Sequence, residues 1–154
     1  MSSLPQKLKR NLFWVVARTC FGLYRRFPVF GSLGASIAII RSKNTFLVIR
    51  RNDGRGVSLP GGIASRGEAA EDTLRREVRE ETGLSVTEAE FQMKYHSSAE
   101  VPVDISVFRA QARGELKDSW EGSPQWMTVE EIGTQLLESQ RPLLELMRKI
   151  ADEG

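Results

Sequence analysis

Three glutamates, Glu77, Glu80 and Glu81, stand at i, i+3 and i+4 in the stretch LPGGIASRGEAAEDTLRREVREETGL, Leu59–Leu84. On a helix those positions are neighbours. Leu74 and Val78, also i and i+4, mark the adjoining apolar face, with Ala70 one turn before. The three carboxylates therefore lie at the edge of a buried face, where like charges repel unless a cation neutralises them. Hard divalent ions such as Mg²⁺ take oxygen ligands of this kind. From Glu68 to Glu81 the stretch holds three further acids, Glu68, Glu71 and Asp72, and three arginines, Arg75, Arg76 and Arg79. A solvated helix laced with ion pairs is the plainer reading of this charge.

The spacing predicts a helix over about Ala69–Thr82, with Gly83 where a C-cap glycine belongs. Glu71 and Asp72 complement the positive end of its dipole. Ahead of it, Pro60-Gly61-Gly62 lets backbone approach backbone or a ligand with no side chain between, and Gly67 adds a second flexible point.

The rest of the chain reads as alternating strands and turns. Ala35–Ile40 and Thr45–Arg51 form a hairpin around the turn Arg41–Asn44. Asn52–Gly56 is a loop and VSLP a short strand. LSVTEAEFQMKYHS contains one or two strands, and Val103–Ala112 is another. Arg113–Pro124 reads as a loop, QWMTV as a short strand and EEIGTQL as helix or turn. RPLLELMRKI closes as an amphipathic helix, with Pro142 tolerated in its first turn. Mixed strands flanked by a few helices make an α+β or α/β sandwich. With 154 residues the chain suits one domain with a single sizeable core.

The net charge of +2 argues neither for nor against nucleic acid. Cys20 is the only cysteine, so no internal disulfide forms, which fits a reducing, cytoplasmic setting. With one histidine and no CxxC, no structural zinc site is expected.

Residues 1–30 read as a basic amphipathic helical extension. Lys7, Lys9, Arg10, Arg18, Arg25 and Arg26 alternate with an apolar face of Leu12, Val15, Val16, Cys20, Leu23, Tyr24 and Phe27. Arg18 interrupts the run, so it is no transmembrane span, and no small-residue cleavage site follows. Two uses fit it. It lies peripherally on an anionic membrane surface, or it packs on the domain or a second subunit, as in a homodimer.

The acidic stretch resembles the Nudix box, G-x5-E-x7-R-E-U-x-E-E-x-G-U, with U a bulky aliphatic residue. Gly62, Glu68, Arg76, Glu77, Val78, Glu80, Glu81, Gly83 and Leu84 meet every fixed position over 23 residues. The resemblance implies a Nudix-type α/β/α sandwich with a mixed sheet over 31–154. It further implies hydrolysis of a nucleoside diphosphate linked to another moiety, with Mg²⁺ as cofactor and Mn²⁺ able to substitute. Glu77, Glu80 and Glu81 would ligate the cations, and one of them, or a carboxylate beyond the box, would take the proton of water. Arg76 would orient the carboxylates, Glu68 would support the loop and helix, and Gly62 and Gly83 would be backbone devices. Glu71, Asp72, Arg75 and Arg79 fall at free positions, where the solvated-helix reading stands.

Family members often carry a further carboxylate on a later loop. Glu121, in SWEGSPQWM before the strand with Trp126, is the choice here, for both catalysis and metal; Glu115 and Glu100 are the runners-up. Trp120 and Trp126 are candidates to stack a base, and Arg50 and Arg51 to meet phosphate. His96 and Asp104 need no special role. No placement of Tyr95 or Pro102 matches a substrate marker, which leaves nucleoside triphosphates, ADP-ribose and other sugar-nucleotides. A non-catalytic Nudix-fold sensor is the alternative. Such domains usually lose box carboxylates, and here all three are present. No appended DNA-binding module is expected.

Overall fold

The computed structural model describes residues 33–153. The expected N-terminal helix, with Cys20, lies outside those residues. In chain order the elements are β1 (Leu33–Ser42), β2 (Thr45–Arg51), β3 (Val57–Ser58), β4 (Gly61–Ile63), α1 (Ala70–Thr82), β5 (Ser85–Ser97) and β6 (Val103–Arg113). There follow β7 (Gly122–Met127), α2 (Val129–Gly133), a 3₁₀ turn (Glu138–Gln140) and α3 (Leu143–Asp152).

β1 is the hub. Along most of its length it pairs parallel with β6, Leu33 opposite Val103 through Ile40 opposite Ala110. Its other edge meets β4 antiparallel (Ser36 opposite Gly62) and then the start of β2 (Ser42 opposite Thr45). β5 lies antiparallel outside β6, and β7 and β3 border β2. One parallel pair among antiparallel ones makes the sheet mixed, and LSVTEAEFQMKYHS forms one long strand with irregularities between Val86 and Glu88 and between Phe91 and Met93.

β1 and β2 are apolar on both faces because both faces are covered. Ala38, Ile40 and Leu47 pack with Leu74 and Val78 of α1 and with Leu84, Phe108 and Ala110. Ile37, Ile39, Phe46 and Val48 face the opposite way, against Ile132 of α2 and Leu143, Met147 and Ile150 of α3. The result is an α/β/α sandwich. Burial of a side chain such as Leu74 or Val78 contributes about 1.5–3 kcal/mol, as an upper estimate.

Three boundaries differ from expectation. Gly61–Ile63 is a short strand rather than loop, because its backbone finds β1. β7 begins at Gly122, inside the expected Arg113–Pro124 loop, because Gly122, Ser123 and Pro124 continue the ladder with β2. QWMTV does not run through Val129: Thr128 accepts the backbone N–H of Glu131, whose side chain returns to Thr128, and this capping box starts α2.

Candidate active site

α1 ends as its sequence dictates. Gly83 adopts φ 79°, the left-handed conformation of a C-cap, and its N–H donates to Arg79 at 3.0 Å. At the start Ala69 offers no side-chain cap. Glu68 ties this end instead: Oε2 accepts from Ser65 N at 2.8 Å and from the Thr73 hydroxyl at 3.0 Å. Ser36 of β1 donates to the Ala70 carbonyl at 2.6 Å, pinning the helix to the sheet.

Arg76 joins the acids. Its Nε and one terminal nitrogen each bond an oxygen of Glu68 at 2.9 Å. The other terminal nitrogen reaches Glu77 at 2.7 Å and Glu80 at 3.3 Å, and the Ile63 carbonyl is bonded at 3.1 Å. The Arg76 hydrogen bonds, helped by Ser65 N–H and Thr73, hold Glu68 down to about 2.

Glu77 and Glu81 face the other way electrostatically. Burial raises Glu77 despite Arg76, with Glu80 and Glu121 adding repulsion. Glu81 is only 5% exposed. Burial pushes it well up, opposed by a 2.9 Å hydrogen bond from Gly61 N–H and reinforced by Glu121 and Glu77. Among the described residues no cationic side chain forms an ion pair with Glu81, whereas Arg76 serves Glu77 and Glu80. Gly62 leaves room for this packing: a Cβ there would stand 2.6 Å from the Glu77 carboxyl carbon.

Glu121 thus reaches the cluster from a different part of the chain. Glu115 lies beside Gly83 at the C-terminal end of α1. Glu100 acts on Tyr95, whose hydroxyl is raised chiefly by burial and bonds the Ser139 carbonyl. Trp120 adjoins Glu121 and is exposed. Trp126, half-exposed, is five residues further, roughly 16 Å along the strand. The two arginines part company, as neighbours on a strand must. Arg50 bonds Gln125 at 3.0 Å and Gln135 at 3.1 Å, with no carboxylate partner among the described residues. Arg51 pairs with Asp53 at 2.7 Å, and Asp53 also holds Arg55. His96 sits between Asp104 at 2.8 Å and Ser98 at 3.1 Å on the β5–β6 side. Of the free positions in the acidic stretch, Glu71 and Arg75 form a surface pair at 2.6 Å.

Among the described residues no three acidic, His or Cys side chains already converge as an ion's ligand set. The donor chemistry nonetheless fits a hard divalent cation: oxygen-only, with a buried carboxylate repelled by its neighbours.

Residues missed by sequence reasoning are Asn52, Asp53, Ser119 and Gly122, which fasten the loops around Glu121 and Arg51. Asn52 and Gly122 find partners about seventy residues away, which no local pattern marks, whereas Asp53 and Ser119 bond within three residues, as Asp and Ser in turns do.

A family model described as the NUDIX domain matches residues 32–149. A MutT-like protein of Streptomyces ambofaciens is 31% identical over 113 residues, 72% of this chain and 73% of that relative. In structure the chain is similar to the E. coli ORF135 protein, with TM-score 0.68 and 23% identity over 83% of this chain and 97% of that one. It is also similar to the MutT NUDIX hydrolase of Burkholderia pseudomallei, with TM-score 0.66 and 21% identity over 74% and 96% of the two chains. The family match spans both the acidic helix and Glu121, and the chain belongs to the NUDIX domain family as a Nudix hydrolase.

Proposed function

We propose that the protein hydrolyses the pyrophosphate bond of a nucleoside diphosphate linked to another moiety, with Mg²⁺ or Mn²⁺ as its cation. The substrate is of the nucleoside triphosphate, ADP-ribose or sugar-nucleotide class. The observation that carries this is the buried Glu81 carboxylate, crowded by Glu77 and Glu121 and with no cationic side-chain partner among the described residues. Family membership supports it, since Nudix hydrolases generally use divalent metals.

Glu77, Glu80, Glu81 and Glu121 would hold the cation. Once bound, it screens the anionic substrate and acidifies water. Arg76 keeps Glu77 and Glu80 on one side of α1 and leaves Glu81 unpaired. A carboxylate at this cluster takes the proton of the attacking water. The water oxygen joins phosphorus, the bridging oxygen leaves with the other phosphate, and the proton stays on the carboxylate. Arg50, whose charge neutral amides orient without cancelling, is the candidate for a substrate phosphate that extends past the edge of β2 on the α2 side of the sheet, away from α1. Trp120, exposed beside Glu121, is the candidate to stack the base.

The test compares wild type with Glu80→Gln on a panel of nucleoside triphosphates, ADP-ribose and sugar-nucleotides. Full activity in Glu80→Gln, or activity undiminished by chelation of all divalent metal, contradicts the reading.

A further inference from the structure

Glu121 differs from the other proposed ligands in lying outside the helix. Its backbone is held from β2 and from its own loop. The β2–β7 ladder ends at the pair Arg51 and Gly122, one residue short of Glu121. Beyond that end two side chains take over. Asn52, the first residue after β2, extends the ladder by one bond, its N–H donating to the Glu121 carbonyl at 2.9 Å. Its side-chain amide donates to the Trp120 carbonyl at 3.1 Å. From the other side Ser119 closes a turn. Its N–H donates to the Gly122 carbonyl at 2.9 Å, and its hydroxyl oxygen accepts from the N–H groups of Glu121 and Gly122 at 3.3 Å each. Gly122 lets the strands close up here, since a Cβ on it would stand 2.2 Å from the Arg50 carbonyl oxygen.

We propose that Asn52 and Ser119 are positioning residues that hold the backbone of Glu121 within reach of α1, so that its carboxyl can join Glu77 and Glu81 around a cation. This rests on the metal-dependent reading above. Asn in a loop ordinarily bonds its own neighbours within two or three residues. Asn52 instead bonds a carbonyl 68 residues away, at the one place where a remote carboxylate must be brought to the helix. A glutamate side chain can pivot about several bonds, so its anchored backbone sets the range its oxygens sample. Misplacement by about 1 Å is enough to lose much of a site's function.

The experiment uses the full chain and reads Mn²⁺ binding by calorimetric titration, with thermal unfolding in parallel. Asn52→Ala/Ser119→Ala is expected to weaken Mn²⁺ binding roughly tenfold, the scale for residues that orient a ligand. Its unfolding midpoint should stay within a few degrees, and Ser119→Thr, which retains the hydroxyl, should restore binding. In a Glu121→Gln background the same pair of substitutions should add nothing, because coupled residues fail to sum. Unchanged Mn²⁺ affinity in the double variant overturns the proposal, as does a tenfold loss that persists beside Glu121→Gln. If Glu80→Gln and Glu121→Gln both bind Mn²⁺ like wild type, the metal reading itself has failed, and the positioning role falls with it.

Discussion

The buried carboxylate of Glu81 accepts a 2.9 Å hydrogen bond from the backbone N–H of Gly61. That bond ties the C-terminal half of α1 to β4, and it only partly offsets the burial that raises Glu81. A raised acid stabilises the fold less in its charged form, so the cost grows as pH rises above the ordinary value of 4.5. Glu81→Gln keeps an acceptor for Gly61 and removes the charge. In chelator, near pH 8, it should melt higher than wild type by roughly 2–4 °C, an effect of order 1 kcal/mol. Added Mn²⁺ should then raise the midpoint of wild type more than that of the variant.

Arg76 bridges Glu68, Glu77, Glu80 and the Ile63 carbonyl. Arg76→Lys keeps the charge but loses the fork that grips both oxygens of Glu68. Differential scanning calorimetry should show a lower melting temperature than wild type. Hydrolysis should fall by more than the fraction of protein unfolded, since Glu77 and Glu80 lose their shared anchor.

The acidic helix and its glycine cap were legible in the sequence, and the reasons for the rest are physical. Helical spacing alone brings Glu77, Glu80 and Glu81 together, and the free position at Arg75 does hold a surface pair with Glu71. Glu121 was reachable only through the family pattern, because its place depends on the β2–β7 register. The expected loop over Gly122–Pro124 failed for a related reason. Gly and Pro suggest a turn locally, yet here the partner strand β2 captures both residues at the end of its edge. Arg50 and Arg51 look equivalent in sequence, and only strand alternation separates one held by amides from one neutralised by Asp53. No local signal marks the parallel pairing of β1 with β6, whose strands are more than sixty residues apart.

Acid should weaken the fold in a definite window. The depressed Glu68 contributes stability that is fully present above its ordinary value of 4.5 and is lost as pH falls towards about 2. Melting curves of Glu68→Gln should therefore fall less steeply than wild type between those values, and the two proteins should converge at the acid end. A wild-type slope unchanged by the substitution would remove Glu68 from the account of the helix start.

Gly62→Ala places a Cβ 2.6 Å from the Glu77 carboxyl carbon. Glu77 must then move, and hydrolysis should drop by about a hundredfold, the scale for a 1 Å displacement of a catalytic group. Circular dichroism should still report a folded domain, because the clash is with the end of a side chain.

The two arginines should separate kinetically. Arg50→Ala should raise KM by roughly tenfold through loss of a charge-assisted phosphate contact, with an unchanged melting temperature. Arg51→Ala should lower the melting temperature, since Asp53 then keeps only Arg55. Steady-state kinetics beside thermal scans reads both.

Hydrolysis of the substrate panel by metal-free protein, titrated with Mg²⁺ or Mn²⁺ and followed by phosphate and pyrophosphate release, tests the central claim most directly. The expected result is cleavage of at least one nucleoside diphosphate derivative that appears with the cation, disappears with chelator and is abolished in Glu80→Gln. Folded protein that binds Mn²⁺ yet cleaves none of them would contradict the account and favour a nucleotide-sensing role.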